Sequence, residues 1–230
     1  MTHHRPFRLG VLGGIGPEAT GVFYLHLIKR LQEENLIRHN EDFPQIIINS
    51  IPAPELVFDT FKEKDVQPYL QGLKELEAMK PDCIIMVCNT IHLFHEQFQA
   101  ELKTPILNLK EEVAQELRRR NASAVAVLGT PQTVRCGLYE ITGIRPIRLT
   151  DEECVVIGAA VFNFNRGFEI AQSKAVVTEI AQAQLQKGAA LLVLGCTELA
   201  VMLEGSPLPT LDTMDVLVDA VIKRYKEHKR

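Results

Sequence analysis

The sequence lacks a long apolar run, a basic surplus and any Cys-x-x-Cys pair, and each absence closes off a class of protein. No stretch reaches the ~18 apolar residues of a transmembrane span. The start, Met1-Thr2-His3-His4-Arg5-Pro6, has no apolar core of a signal peptide. No membrane partner is therefore expected, and the cytosol is the expected compartment. The formal net charge is −4, whereas binding nucleic-acid phosphates calls for a basic surface, so no nucleic-acid partner is expected. The basic tail from Lys223 to Arg230 reads as an exposed helix end, where cations complement the helix dipole. The cysteines, Cys83, Cys88, Cys136, Cys154 and Cys196, form an odd set, so reduced thiols are expected rather than a disulfide framework. No low-complexity segment interrupts the chain. Its 230 residues, 46% apolar and 23% charged, suffice for one large globular domain or two small ones with real cores.

What is there is an alternation of short apolar runs with helical periodicity, the pattern of βαβ units and parallel sheets. Leu9 to Leu12 reads as a strand, Gly13-Gly14-Ile15-Gly16 as a turn, and Pro17 suits a first helical position. Ile46 to Ile48 is a second strand. It leads into a Pro-rich loop, Asn49-Ser50-Ile51-Pro52-Ala53-Pro54-Glu55, at the strand end where open α/β sheets place ligands. Val66, Leu70, Leu73 and Leu76 recur at helical spacing, and Lys80-Pro81 ends that helix. Cys83 to Val87 is a buried strand followed by a helix through His95, and Ile106-Leu107 is a fourth strand.

The pattern then repeats. Ala124-Val125-Ala126-Val127-Leu128-Gly129 echoes Leu9 to Gly13, and Leu191-Leu192-Val193-Leu194-Gly195-Cys196-Thr197 echoes Ile84-Ile85-Met86-Val87-Cys88-Asn89-Thr90. Leu208-Pro209-Thr210-Leu211-Asp212 echoes Thr104-Pro105-Ile106-Leu107-Asn108. The expected fold is α/β, with two pseudo-symmetric parallel-sheet domains of Rossmann-like or flavodoxin-like type. The first spans 1–118 and the second 119–209, joined near Arg120-Asn121-Ala122-Ser123. The final helix within 210–230 is expected to cross back onto the first.

In each half a buried strand runs straight into a cysteine, then a threonine, then a helix. Cys88 and Cys196 thus occupy equivalent places, where unfilled N–H groups and the positive helix end are expected to stabilise a thiolate. A racemase takes a proton from one face of a carbon and returns one to the other, which calls for two opposed acid/base groups. One thiol from each half of a twofold-related pair supplies them. The carbanion beside a carboxylate needs donors, and Asn89, Thr90, Thr130 and Thr197 are candidates. The turn at Gly14 and Ile15 lets substrate approach the backbone, and Asn49 ends the second strand, so these too are candidate binding positions.

Three segments carry a resemblance: Leu12-Gly13-Gly14-Ile15-Gly16-Pro17-Glu18-Ala19-Thr20, Cys88-Asn89-Thr90-Ile91-His92 and Gly195-Cys196-Thr197-Glu198. Together the chain resembles the aspartate/glutamate racemase family, and the Glu at 198 places it nearest the aspartate racemase branch. The likeness spans roughly Leu9 to Val221. It implies cofactor-free 1,1-proton transfer on an amino acid, aspartate or glutamate, in a cleft between two domains of a homodimer, with no metal. Two departures bear on the substrate. Aspartate-specific members hold the second carboxylate with an Arg after the second strand, but here that loop reads Ala53-Pro54-Glu55-Leu56-Val57. A Lys of the family before the glycine at 167 is replaced by Asn165-Arg166, which makes Arg166 the candidate for that role. A less acidic amino acid stays open.

Other readings compete at single features. Gly14-Ile15-Gly16-Pro17-Glu18-Ala19 fits the dinucleotide fingerprint, but the second strand ends in Asn49-Ser50 rather than a ribose-holding acid, and Pro17 removes a phosphate-facing N–H. Cys88, His92 and His95 share a helix face like metal ligands, yet no further ligand cluster has zinc-like spacing. His92 tunes Cys88 or packs; His95 reads as a surface or interface residue. Cys83, Cys136 and Cys154 read as structural. Glu198 either touches substrate, orients Cys196 or simply suits a helix start. Asp212 and Asp215 read equally as caps of the last helix. Hydantoin racemases and maleate isomerases share the expected fold, and a non-catalytic small-molecule binder is the alternative outside enzymes.

Overall fold

Strand β1 (Arg8–Gly13) lies between β2 (Gln45–Ser50) and β3 (Cys83–Met86) in a parallel sheet of order β2-β1-β3. The computed structural model describes residues 5–54, 56 and 63–230. Glu55 and Val57, in the loop expected near the ligand, lie outside that set. The central runs are apolar without alternation because helices cover both faces of the sheet. On one face Leu9, Val11, Cys83 and Ile85 meet Phe23, Leu27 and Leu31 of α1 (Pro17–Glu33). On the other, Leu12, Ile84 and Met86 meet Leu73 and Leu76 of α2 (Gln67–Ala78).

After β3 the chain makes a 3₁₀ turn over Thr90–Phe94 before the short α3 (His95–Glu101), so Cys88 stands ahead of a tight turn rather than a regular helix. The expected fourth strand reduces to a single parallel bridge between Ile84 and Ile106. Pro105 has no N–H to extend a ladder, and Asn108 already caps α4 (Leu109–Arg119).

The second sheet has the order β5-β4-β6-β7, all parallel: β4 (Ala124–Gly129), β5 (Arg145–Ile147), β6 (Leu191–Gly195) and β7 (Thr210–Asp212). It repeats the first, with β4 central as β1 is, β5 in the place of β2, β6 in that of β3, and β7 where Ile106 makes its bridge. Two short helices, α5 (Pro131–Arg135) and α8 (Thr197–Met202), start directly at the ends of β4 and β6. The longer α6 (Asp151–Asn165) and α7 (Ile170–Gln186) pack against each other and cover one face.

Helix α9 (Thr213–His228) follows β7 and lies against α1 and α4 of the first half. Val218, Val221, Ile222 and Tyr225 join a cluster that also contains Leu27, Val113, Val125 and Val193, so the halves share one core. Each such side chain contributes about 1.5–3 kcal/mol by leaving water. This shared core holds the ends of β3 and β6 at a fixed relation, and with them the two cysteines.

Candidate active site

A cavity of about 200 Å³ opens between the halves at the strand ends. The first half supplies the turn Gly14 to Pro17, Ala53, Pro54, Leu56, and Cys88 to Thr90; the second supplies Thr130, Val161, Asn165, Arg166, Cys196 and Glu198. This is smaller than the ~300–1,000 Å³ typical of drug-sized ligands, and suits a small metabolite. A hollow of about 330 Å³ beside β5 is larger, but it contains no thiol, and Val134, Ile144 and Leu149 are among its walls. The expected site residues gather at the smaller one.

Cys196 is the N-cap residue of α8, and its Sγ donates to Glu198 Oε2 at 2.8 Å. The Thr197 hydroxyl donates to the same oxygen at 3.0 Å. The other carboxylate oxygen reaches the first half: a Cβ added at Gly16, whose φ is +87°, would stand 2.2 Å from Glu198 Oε1. The positive φ favours glycine there, and any added Cβ would displace the Glu198 carboxylate. Gly14, at φ +84°, is similarly pressed against the Ile51 backbone, and its N–H donates to Thr20 Oγ1. The glycine turn is thus built to meet Glu198 and the cavity.

Both thiols are harder to ionise than their places at strand ends suggest, which corrects the expectation of a stabilised thiolate. Burial pushes Cys88 up to about 12. N–H groups of Ile91 and Thr90 and the Thr90 hydroxyl pull it down, and the Glu198 charge opposes them. Burial also raises Cys196 strongly, and the adjacent Glu198 carboxylate and Cys88 add to the rise. The 3₁₀ turn after Cys88 and the six-residue α8 after Cys196 offer too little dipole to offset desolvation.

Asn89 is buried, and its Oδ1 accepts from the Tyr139 hydroxyl; its Nδ2 has no partner among the described residues. Three hydroxyls form a triangle across the halves: Thr90 to Thr130 at 3.0 Å, Thr90 to Thr133 at 2.9 Å and Thr130 to Thr133 at 3.1 Å. Arg166, the C-cap residue of α6, lies over the Phe162 ring at 5.1 Å and has no carboxylate partner among the described residues. It is the one cation among the described lining residues.

Of the expected site residues, Gly14, Ile15, Cys88, Asn89, Thr90, Thr130, Arg166, Cys196 and Glu198 all line this cavity. Two do not. Asn49 donates through its amide to Gly72 O and to Glu75 Oε2, because strand alternation turns it toward α2. Thr197 is buried with its hydroxyl committed to Glu198. Sequence reasoning missed Gly16, Thr133 and Tyr139. Thr133 had a readable signal, as it stands three residues after the Thr130 cap and donates its N–H to it; Tyr139 had none.

Among the described residues no group of three or more His, Cys, Asp or Glu side chains is arranged to hold a metal. His92 instead is buried, with Nε2 on the Met86 carbonyl at 3.3 Å and Nδ1 without a partner among the described residues. Burial first, and then His95, lowers its pKa to about 3. Because the folded value lies below the unfolded one near 6.5, its stabilising contribution is complete above that pH and is lost on acidification toward 3. Urea unfolding at pH 7 and pH 5 is expected to reveal a loss of about 2 kcal/mol in the wild type beyond that in His92→Gln.

The structure is an α/β fold of two parallel sheets, with a thiol from each half lining one cleft. The sequence matches the model of the Asp/Glu/Hydantoin racemase family over residues 12–221, and the chain belongs to that family. It is 23% identical over 227 residues to the broad specificity amino-acid racemase RacX of Bacillus subtilis, covering 94% of this chain and 97% of that protein. The aspartate racemase of Picrophilus torridus superposes with a TM-score of 0.79 at 23% identity, covering 97% of this chain and 98% of that one. A glutamate racemase of Francisella tularensis, solved with D-glutamate, gives 0.67 at 21% identity, with 98% and 82% covered. No helix among the described residues is long and apolar enough to cross a membrane.

Proposed function

We propose that the protein is a cofactor-independent amino-acid racemase that passes the Cα proton between Cys88 and Cys196. One observation carries this reading: thiols from the two halves open into one small cavity, beside a buried Asn89 whose Nδ2 has no partner among the described residues. The substrate carboxylate takes the Asn89 Nδ2 donor, with the Thr90 and Thr130 hydroxyls beside it. One sulfur, as thiolate, removes the Cα proton, and the C–H electron pair moves onto the carboxylate oxygens, where the donors stabilise it. The opposite thiol then protonates the other face and is left as the thiolate, so the next turnover runs in reverse. Glu198 takes the Cys196 proton across the 2.8 Å contact when Cys196 must act as base. For Cys88 the Thr90 and Ile91 N–H groups and the Thr90 hydroxyl stabilise the anion.

Aspartate and glutamate are the proposed substrates, with Arg166 meeting the side-chain carboxylate; the names of the Picrophilus and Francisella relatives support that choice. The apolar walls of Ala53, Pro54, Leu56 and Val161 favour a second reading, that uncharged side chains are accepted too. The name of the Bacillus relative agrees with such breadth. Reduced thiols support action in the cytosol, and the family resemblance supports a homodimer. The test is a panel of L-amino acids incubated with chelator-treated protein in heavy water, followed by proton NMR and chiral chromatography. Loss of the Cα proton and appearance of the D-enantiomer are expected for at least one acidic or uncharged amino acid. No exchange and no inversion across the panel would falsify the racemase reading.

A further inference from the structure

We infer that Tyr139 is a positioning residue for catalysis: its hydroxyl holds the Asn89 side-chain amide with Nδ2 toward the substrate carboxylate. The inference rests on the racemase reading. Tyr139 belongs to the second half, follows α5, and is buried; it does not line the cavity. Its hydroxyl donates to Asn89 Oδ1, and Asn89 is its hydrogen-bond partner among the described residues. A buried phenol has one proton to give and loses free energy when that proton finds no acceptor. If the Asn89 amide turned over, Nδ2 would meet the phenol oxygen and the Tyr139 proton would be left without an acceptor. The same turn would set Oδ1 against a carboxylate and repel it. Tyr139 therefore excludes the orientation that defeats binding.

The two sides of Asn89 are complementary in this respect. Oδ1 is spent on Tyr139, while Nδ2 is buried, lies in a residue that faces the cavity, and has no protein acceptor among those described. A buried donor without a partner is costly unless a ligand satisfies it. The contact also crosses between the halves, so the second half positions a substrate-binding group of the first. It does so in parallel with the threonine triangle, which ties Thr90 to Thr130 and Thr133.

The experiment is a double-mutant cycle of Tyr139→Phe and Asn89→Ala, read as kcat and KM on the fastest substrate of the panel. Tyr139→Phe is expected to lower kcat/KM about tenfold, mainly through kcat, because the donor matters most as charge builds on the carboxylate. In the Asn89→Ala background the same change is expected to cost less than about twofold, since the group it positions is gone. A packing role would subtract the same factor in both backgrounds, and that result overturns the inference, as does full activity in Tyr139→Phe. Tyr139→Met, which keeps apolar bulk, guards against a folding defect in the first variant. A wild-type crystal structure with the phenol oxygen more than 3.5 Å from the Asn89 amide would also sink it. Inactivity of the wild type on the whole panel would instead sink the racemase reading, so the two failures are distinguishable.

Discussion

Cys88→Ser and Cys196→Ser are each expected to lose racemisation by at least about 10³-fold while still exchanging the Cα proton of one enantiomer. A serine hydroxyl fits the space of a thiol but is a far weaker acid, so one side of the substrate loses its proton carrier. General acid/base groups typically contribute about 10²–10⁴-fold, and inversion needs both sides in every turnover. The surviving thiol still removes a proton from its own face and returns a deuteron there. Each variant should therefore wash deuterium into one enantiomer without inverting it, and the two variants should choose opposite enantiomers. Proton NMR of separate L- and D-substrate samples in heavy water reads this directly. The serine substitutions leave the shared core intact, so melting temperatures should stay near that of the wild type. Wild-type racemisation in both variants would rule out the pair of thiols.

Glu198→Gln carries the second large effect, a loss of about 10²–10³-fold in racemisation. The sign is informative, because Glu198 acts on Cys196 in two opposed ways. Its charge contributes to holding the Cys196 thiol un-ionised, and its Oε2 is also the acceptor that the Sγ proton points to. Glutamine removes the like charge, which by itself makes the thiol easier to ionise. It also removes the group that takes the proton away. If proton acceptance dominates, exchange that starts at Cys196 falls while exchange at Cys88 persists. If charge repulsion dominates, the variant racemises faster than the wild type, and the assignment of Glu198 as proton acceptor fails. The near-isosteric amide keeps the approach to Gly16, so a folding defect does not confuse the reading.

The repeat was legible in the chain because each copy of a strand buried on both faces is written as an unbroken apolar run, as in Ile84 to Val87 and Leu191 to Leu194. The thiols were legible because they close those runs in matched contexts. Tyr139 was not, since it sits in a loop with no periodicity, and its partner Asn89 lies in the other half of the molecule. Asn49 was misplaced because the turn of a strand residue to one face or the other depends on which helix packs there, and α2 takes its amide.

By itself, then, the order of residues determined two parallel sheets, their duplicated order and the pair of cysteines at their ends, since backbone periodicity and local turn chemistry act over short stretches. Tertiary packing alone decided that burial outweighs the local dipoles at both sulfurs, that the Glu198 carboxylate lies close to Gly16, and that the Asn89 oxygen meets Tyr139 while its nitrogen has no partner among the described residues. These are contests between desolvation and contacts from distant segments, and their outcome exists only once the halves have closed on one core.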